Sequence, residues 1–185
     1  MPRAEINALL KFLNVSPDKW NLLLMGDGSG SMASNPGGWA CFAVEQGEYQ
    51  QELTYHRPVY GAVSAGPINW LETLPYWHFL RHHYYYLGGK SLCAKNRVTT
   101  HIVTDSQWAA QTMSGRSKAK YHKDMQMMFA MYSEWGYNLV WHHVSRETVM
   151  LQSLADRLSA QAREYMQAVE LPPEFEERYP LNSTS

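Results

Sequence analysis

The sequence has few cysteines, almost no net charge and no long apolar run. Its 185 residues include two cysteines, Cys41 and Cys93, and its formal net charge is −1. Two distant thiols provide neither a disulfide framework nor a paired-cysteine metal motif, and they favour a reducing, cytoplasmic environment. A chain this close to neutrality can hold a charged polymer only through a local patch. No run reaches the ~18 apolar residues of a membrane helix, so no membrane association is expected.

Apolar and aromatic residues are abundant, at 45% and 13% of the chain, which is enough for one packed domain. We expect this domain over residues 20–170. A helical extension is expected before it, over 1–19, because "AEINALLKFL" has amphipathic spacing. An irregular tail is expected after it, over 171–185. Both extensions lie outside the expected core and could dock a protein partner.

Apolar runs bounded by turn residues predict five strands. These are "WNLLLMGDG", "WACFAVEQG", "QELTYHRPVYGAV", "VTTHIVTDSQ" and "YNLVWHHV". The first three follow one another directly, and helical patterns separate the others. This order predicts an α/β fold with a five-stranded mixed sheet, three antiparallel strands and then two parallel ones, with helices on both faces.

One long helix is predicted over residues 66–87, "GPINWLETLPYWHFLRHHYYYL", because its large apolar residues share one face. Pro75 lies inside this pattern. A proline in a helix interior costs roughly 3 kcal/mol and kinks the axis. Shorter helices are predicted for "SQWAAQTM" and "HKDMQMMFAMYSEW", the latter ending at Gly136. A last one is predicted for "MLQSLADRLSAQAREYMQAV".

Two of the predicted strands end in an acid, Asp27 and Asp105. If these strands are neighbours, both carboxylates emerge at one edge of the sheet, where helices can add Glu72 and Asp156. Crowded carboxylates repel one another unless a cation neutralises them. Hard oxygen ligands without cysteine indicate Mg²⁺ or Mn²⁺. Two such ions ~3.5–4 Å apart can activate a water molecule and stabilise the leaving oxygen of a phosphodiester.

Each acid alone also has an ordinary structural explanation. Asp27 could be a turn residue, and Glu72 could be an acid favoured by the dipole in the first turn of a helix. Asp156 could be a solvated acid on a helix. The combination of two strand-end acids with this glycine-rich turn favours the metal-ligand interpretation.

Four segments together resemble type 1 ribonuclease H. "DGS", beginning at Asp27, and the following "NPGGWA" resemble the first hairpin of that family. Asn69, three residues before Glu72, is similar to its Asn-x-x-Glu motif, and "IVTDSQWAAQ" is similar to its strand ending in Thr-Asp-Ser. "HHVSRETVMLQSLADRLS" is similar to its final histidine loop and aspartate. The resemblance covers about residues 20–166 and implies the ribonuclease H-like fold.

The resemblance also implies roles for individual residues. Asp27, Glu72, Asp105 and Asp156 would bind two Mg²⁺ (or Mn²⁺) ions, with Asp27 bridging them. A histidine before the last helix would assist the attacking water or product release and titrate near neutral pH. His142 and His143 are both candidates, and the Val-x-Arg-Glu context that follows favours His143.

Further residues are implied to touch nucleic acid. Ser29, Asn69 and Ser106 would contact the backbone or the 2′-hydroxyl groups that distinguish RNA from DNA. The basic extra helix of some family members is missing, and the run "GRSKAKYHK" stands in its place. Phosphate contacts from this run would come from Arg116, Lys118 and Lys120.

Two other features depart from the family pattern. His143 lies 13 residues before Asp156, so the intervening loop is longer than usual in that family. Pro75 follows Glu72 by about one turn and would tilt the helix that carries this carboxylate.

The leading hypothesis for function is a metal-dependent endonuclease that hydrolyses the RNA strand of RNA–DNA hybrids. One alternative keeps the fold and changes the substrate, as in an exonuclease, a resolvase or a transposase. The first strand has Asp-Gly-Ser where exonucleases have Asp-x-Glu. Transposases normally carry additional DNA-binding domains, which we do not expect in these 185 residues. A second alternative is a non-catalytic ribonuclease H-like module that serves as a binding scaffold.

Overall fold

The structure is a computed structural model, and it describes residues 2–30, 35–47, 52–64, 68–116, 122–145, 150–165 and 181–182. The first half of the chain contains α1 (Pro2–Phe12), β1 (Leu22–Ser29), β2 (Gly37–Gln46), β3 (Leu53–Val63), α2 (Ile68–Leu71) and α3 (Leu74–Tyr86). The second half contains α4 (Gly89–Lys95), β4 (Val98–Thr104), α5 (Gln107–Met113), α6 (His122–Trp135), β5 (Tyr137–His143), α7 (Met150–Tyr165) and β6 (Leu181–Asn182).

The strands form one mixed sheet in the order β5-β4-β1-β2-β3-β6. Strands β1, β2 and β3 are antiparallel neighbours, whereas β4 pairs parallel with both β1 and β5. The predicted fold, with its three antiparallel and two parallel strands, is therefore confirmed. Leu181 and Asn182 add a short parallel strand beside Tyr55 and His56, in a segment that the sequence analysis expected to be irregular.

Strand β1 is buried on both faces, which explains its continuous apolar run. Leu23 and Met25 pack into a core beneath α1 and α7. Leu22 and Leu24 pack into a second core beneath α3 and α6, on the opposite face of the sheet. The central strand is thus a rigid element that both cores hold in place, and it carries Asp27 to the edge of the sheet.

The prediction of one continuous helix over 66–87 is wrong, because the structure has two helices there, separated by a short turn. Helix α2 ends at Leu71, α3 begins at Leu74, and Glu72 lies in the turn between them. Pro75 therefore occupies the first turn of α3, where its missing N–H breaks no helical hydrogen bond. The expected kink is replaced by a break, and the break leaves Glu72 outside both helices. Gly66 and Pro67, the predicted helix start, lie outside the described residues.

The other helices differ less from prediction. Helices α5 and α6 match the predicted segments, and Gly136 ends α6 with a φ of 122°. Helix α4 was not predicted, because it has seven residues and a glycine in place of a side-chain N-cap. Helix α7 is described as far as Tyr165, so its predicted end at 171–173 lies outside the described residues. None of the helices described here is long and apolar enough to span a membrane.

Candidate active site

Three carboxylates meet where β1 and β4 end. Asp27 lies in β1 and Asp105 directly follows β4, so the parallel pairing of these strands brings both acids to the same edge. Glu72 reaches this edge from the turn after α2. One carboxylate oxygen of each residue lies within 4.8 Å of those of the other two. Asp27 is buried, and its Oδ1 accepts a 3.0 Å hydrogen bond from the Gly28 N–H.

Glu72 reaches Asp27 because α2 packs directly onto the backbone of β1. A Cβ atom at Gly28 would lie 2.3 Å from the carbonyl oxygen of Leu71, the last residue of α2. Only a residue without a side chain allows this approach. Because Glu72 is the next residue, the close contact holds its carboxylate beside that of Asp27. Gly28 is therefore a positioning residue for the cluster.

The Tyr76 hydroxyl bridges β1 and β4 close to the carboxylates. The backbone pairing of β1 with β4 ends at Met25 and Val103. Beyond this point, the buried Tyr76 hydroxyl links the two strands in place of backbone hydrogen bonds. It lies 2.8 Å from the Gly26 carbonyl and 2.9 Å from that of Val103, and it accepts a hydrogen bond from the Gly26 N–H. Burial, with a smaller contribution from nearby acidic groups, raises the pKa of Tyr76 well above its usual value. The hydroxyl therefore stays protonated and ties the two acid-bearing strands together.

Gln152, on the other face of the sheet, also forms a hydrogen bond to the end of β1. Its buried Nε2 donates a 2.5 Å hydrogen bond to the Gly26 carbonyl and so fixes α7 against the end of β1. Tyr76 and Gln152 were not among the predicted site residues. A tyrosine in an aromatic helix and a glutamine in an amphipathic one carry no motif, so no signal in the sequence distinguishes them.

Asp156 stands one turn beyond Gln152 on α7, and its side chain is half-buried. About one turn after Asp156, α7 packs directly against the backbone of β2. A Cβ atom at Gly38 would lie 2.1 Å from the carbonyl oxygen of Ser159. In the β1–β2 register, Asp27 lies between the strand positions that these two contacts reach, Gly26 on β1 and Gly38 opposite Ser29. The acids that cluster within 4.8 Å among the described residues are nevertheless Asp27, Glu72 and Asp105, without Asp156.

The structure separates the two candidate histidines. Adjacent residues of a strand point to opposite faces. His142 is half-buried, and its Nε2 lies 2.8 Å from Nδ1 of His101. Burial, reinforced by His101 and Arg116, lowers the pKa of His142 to about 4, so it is neutral near pH 7. His143 is exposed and pairs with Thr104, the residue before Asp105.

The residues predicted to touch nucleic acid are spread around the same edge. Ser29 is half-buried at the end of β1, and Asn69 is exposed on α2, about one turn before Glu72. The Ser106 hydroxyl caps α5 by accepting a hydrogen bond from the Ala109 N–H. Arg116 is exposed beyond α5. Lys118 and Lys120 lie outside the described residues.

The donor set of the cluster fits a hard divalent cation. All three groups are carboxylates, and no sulfur or imidazole lies among them. Mg²⁺ and Mn²⁺ prefer such oxygen ligands, and a positive ion would relieve the repulsion among three close negative charges. The residues present therefore fit the metal that the sequence analysis expected.

Comparisons with solved structures agree with this architecture. The N-terminal RNase H domain of Rv2228c from Mycobacterium tuberculosis is 20% identical, with a TM-score of 0.55, and the match covers 77% of this chain and 93% of that one. LC11-RNase H1, solved with an RNA/DNA hybrid, is 19% identical, with a TM-score of 0.57 and coverage of 80% and 99%. RNase H1 from Halobacterium salinarum NRC-1 is 15% identical, with a TM-score of 0.56 and coverage of 76% and 96%.

By sequence, no protein-family model and no curated protein matches this chain. The resemblance to type 1 ribonuclease H therefore rests on short sequence motifs and on the fold. At these identities it establishes the fold: the chain has the ribonuclease H-like fold over most of its length, with three carboxylates at the end of its two central parallel strands.

Proposed function

We propose that this protein is a metal-dependent endonuclease that hydrolyses the RNA strand of RNA–DNA hybrids with two divalent ions. The observation that carries the proposal is the cluster of Asp27, Glu72 and Asp105 at the end of β1 and β4. The position of this cluster on a ribonuclease H-like fold also supports a nuclease. The hybrid bound to LC11-RNase H1 supports the substrate.

The carboxylates have distinct tasks in this proposal. Asp27 is the most buried of the three acids, and the resemblance to type 1 ribonuclease H implies that two ions would share it. Glu72 and Asp105 complete the set, and Asp156 is the fourth ligand, supplied by α7. Bound Mg²⁺ would activate a water molecule and stabilise the leaving oxygen, giving a 5′-phosphate and a 3′-hydroxyl.

Polar groups around the cluster would hold the substrate. Asn69 is exposed about one turn from Glu72, and Ser29 lies two residues beyond Asp27 in β1. We assign to both the contacts with the backbone and the 2′-hydroxyl groups of the RNA strand. Arg116, with Lys118 and Lys120, would contact phosphates, which position a duplex without reading its sequence. Little sequence preference is therefore expected.

A gel assay on a labelled hybrid tests this proposal. RNA duplex, DNA duplex and single-stranded RNA run beside the hybrid, each with Mg²⁺, with Mn²⁺ and with chelator. We expect metal-dependent cutting of the RNA strand of the hybrid alone. Cutting of a DNA substrate instead would identify another nuclease type. A folded protein that binds the hybrid and cuts nothing would favour a non-catalytic module.

Alanine substitution of the two neighbouring histidines tests the assignment of His143. We expect His143→Ala to slow hybrid cleavage about 10²-fold or more, because a positioned proton-transfer group typically contributes about 10²–10⁴-fold. His142→Ala removes the hydrogen bond to His101 and should cost about 1 kcal/mol of stability, with little effect on the rate. Single-turnover rates and thermal melts separate the two effects. A slower rate in His142→Ala than in His143→Ala would reverse the assignment.

A further inference from the structure

A second group of metal-binding side chains lies at the opposite end of the sheet. Glu45 from β2, His56 from β3 and His83 from α3 each offer one ligand atom, and all three atoms lie within 4.8 Å of one another. Glu45 pairs with Leu22, five residues before Asp27 on β1, which places the group about 17 Å along the strand from the carboxylate cluster. The two groups are therefore separate sites.

The two imidazoles converge on one oxygen atom. His83 Nε2 lies 2.6 Å from Glu45 Oε1, and His56 Nε2 lies 3.2 Å from the same atom. Around a tetrahedral ion with ligands at about 2.0–2.1 Å, neighbouring ligand atoms are about 3.3 Å apart. The His56–Glu45 distance already matches this spacing, and His83 needs to move by less than about 1 Å.

The second ring nitrogen of His83, Nδ1, also has a hydrogen-bond partner, as the non-ligating nitrogen of a metal-bound histidine does. Its Nδ1 lies 2.7 Å from the hydroxyl of Tyr137, the first residue of β5. Gly89 leaves the space for this contact, because a Cβ atom there would lie 2.3 Å from the Tyr137 hydroxyl. A hydrogen bond to Nδ1 orients the ring and leaves Nε2 directed at Glu45.

Burial and access both suit a bound ion. His83 is fully buried and His56 nearly so, whereas Glu45 is partly exposed and lines a cavity of about 250 Å³. Of the three side chains, Glu45 alone lines the cavity, so an ion and a water ligand would approach the group from the Glu45 side. Lys95 and Arg97 also line the cavity, and their positive charges disfavour a cation there. The favourable position is therefore between the imidazoles and Glu45.

We propose that Glu45, His56 and His83 form a zinc site, with water as the fourth ligand. Two imidazoles and one carboxylate are a typical donor set for Zn²⁺, unlike the all-oxygen set at the other end of the sheet. The ion would link α3 to β2 and β3 and so stabilise the fold. The same contacts could also arise from two imidazole N–H groups that donate to one carboxylate, and the test must separate these two arrangements.

The test uses the full chain carrying Asp27→Asn and Asp105→Asn, which removes the all-oxygen cluster and makes the result independent of nuclease activity. After chelator treatment, the protein is titrated with Zn²⁺ by calorimetry and with Co²⁺ by visible absorption. We expect one ion per chain, the absorption of tetrahedral Co²⁺ and a higher Tm with Zn²⁺. No saturable Zn²⁺ binding by the folded protein would overturn the proposal and leave a hydrogen-bonded cluster.

Ligand variants in the same background locate the ion. His56→Gln and Glu45→Gln should each weaken Zn²⁺ binding by about 100-fold or more, and Tyr137→Phe by about 10-fold. His78→Gln is the matched control, because His78 lies on the same helix and stacks on Trp39 outside the group. Circular dichroism in chelator shows which variants remain folded. Undiminished affinity in a folded His56→Gln or Glu45→Gln variant would contradict the assignment.

Discussion

Asp105→Asn is expected to reduce hybrid cleavage by about 10³-fold or more and leave the fold intact. The substitution keeps the size of the side chain and removes one negative charge from a group of three carboxylates that lie within 4.8 Å. Metal ligands of this kind contribute several kcal/mol to the stabilisation of a transition state. Removing repulsion among the acids should also raise the stability of the metal-free protein slightly.

Single-turnover cleavage with saturating Mg²⁺ measures this effect, and thermal melts with and without metal check the fold. Asp18→Asn is the matched control, because Asp18 is an exposed acid in the turn region before β1. It should retain full activity. Turnover by Asp105→Asn at a rate close to that of the unsubstituted protein would remove Asp105 from the metal site and, with it, the proposed mechanism.

Gly28→Ala is expected to lower both stability and activity, although the new methyl group carries no chemistry. The added Cβ would lie 2.3 Å from the carbonyl oxygen of Leu71, which belongs to a helix backbone and cannot rotate away. Helix α2 must therefore move by about 1 Å, at a cost of about 1–3 kcal/mol. Glu72 moves with it, and a displacement of this size at an active site can reduce the rate about 10²-fold.

Gly47→Ala provides the matched control for this prediction. The nearest atoms to a Cβ at Gly47 belong to Glu52 and lie 3.6 Å away, an ordinary contact distance. Its stability should change by less than about 0.5 kcal/mol, with no change in activity. Denaturant unfolding and cleavage rates measure both variants. If Gly28→Ala behaves like Gly47→Ala, the close packing of α2 on β1 does not position Glu72.

The two metal-binding groups differ greatly in how clearly the sequence indicates them. Asp27 and Asp105 each lie at the end of a buried strand, so a local pattern of apolar residues followed by an acid is enough to single them out. Glu45, His56 and His83 come from two strands and a helix, and their spacing along the chain matches no metal motif. Their proximity arises from the antiparallel pairing of β2 with β3 and from the packing of α3 on that pair.

The break between α2 and α3, at Glu72, also depends on a tertiary contact that the local sequence does not indicate. Helical spacing on both sides of Glu72 predicts one helix, because periodicity is not interrupted by a short turn. Pro75 indicates that this helix cannot be regular, since its ring is tolerated only in a first turn. The position of the break depends on where α2 can pack against the backbone of Gly28, which is a contact between distant parts of the chain.

The sequence by itself determined the order of the first five strands, the mixed sheet that they form and the two acids at its edge. These follow from burial patterns and turn residues that are local along the chain. The tertiary structure alone decided which side chains meet. It brought Glu72 to Asp27, turned His142 inward and His143 outward, and gathered Glu45 with two histidines. Distances of a few ångströms between remote segments depend on packing, and packing is not encoded in any single stretch of sequence.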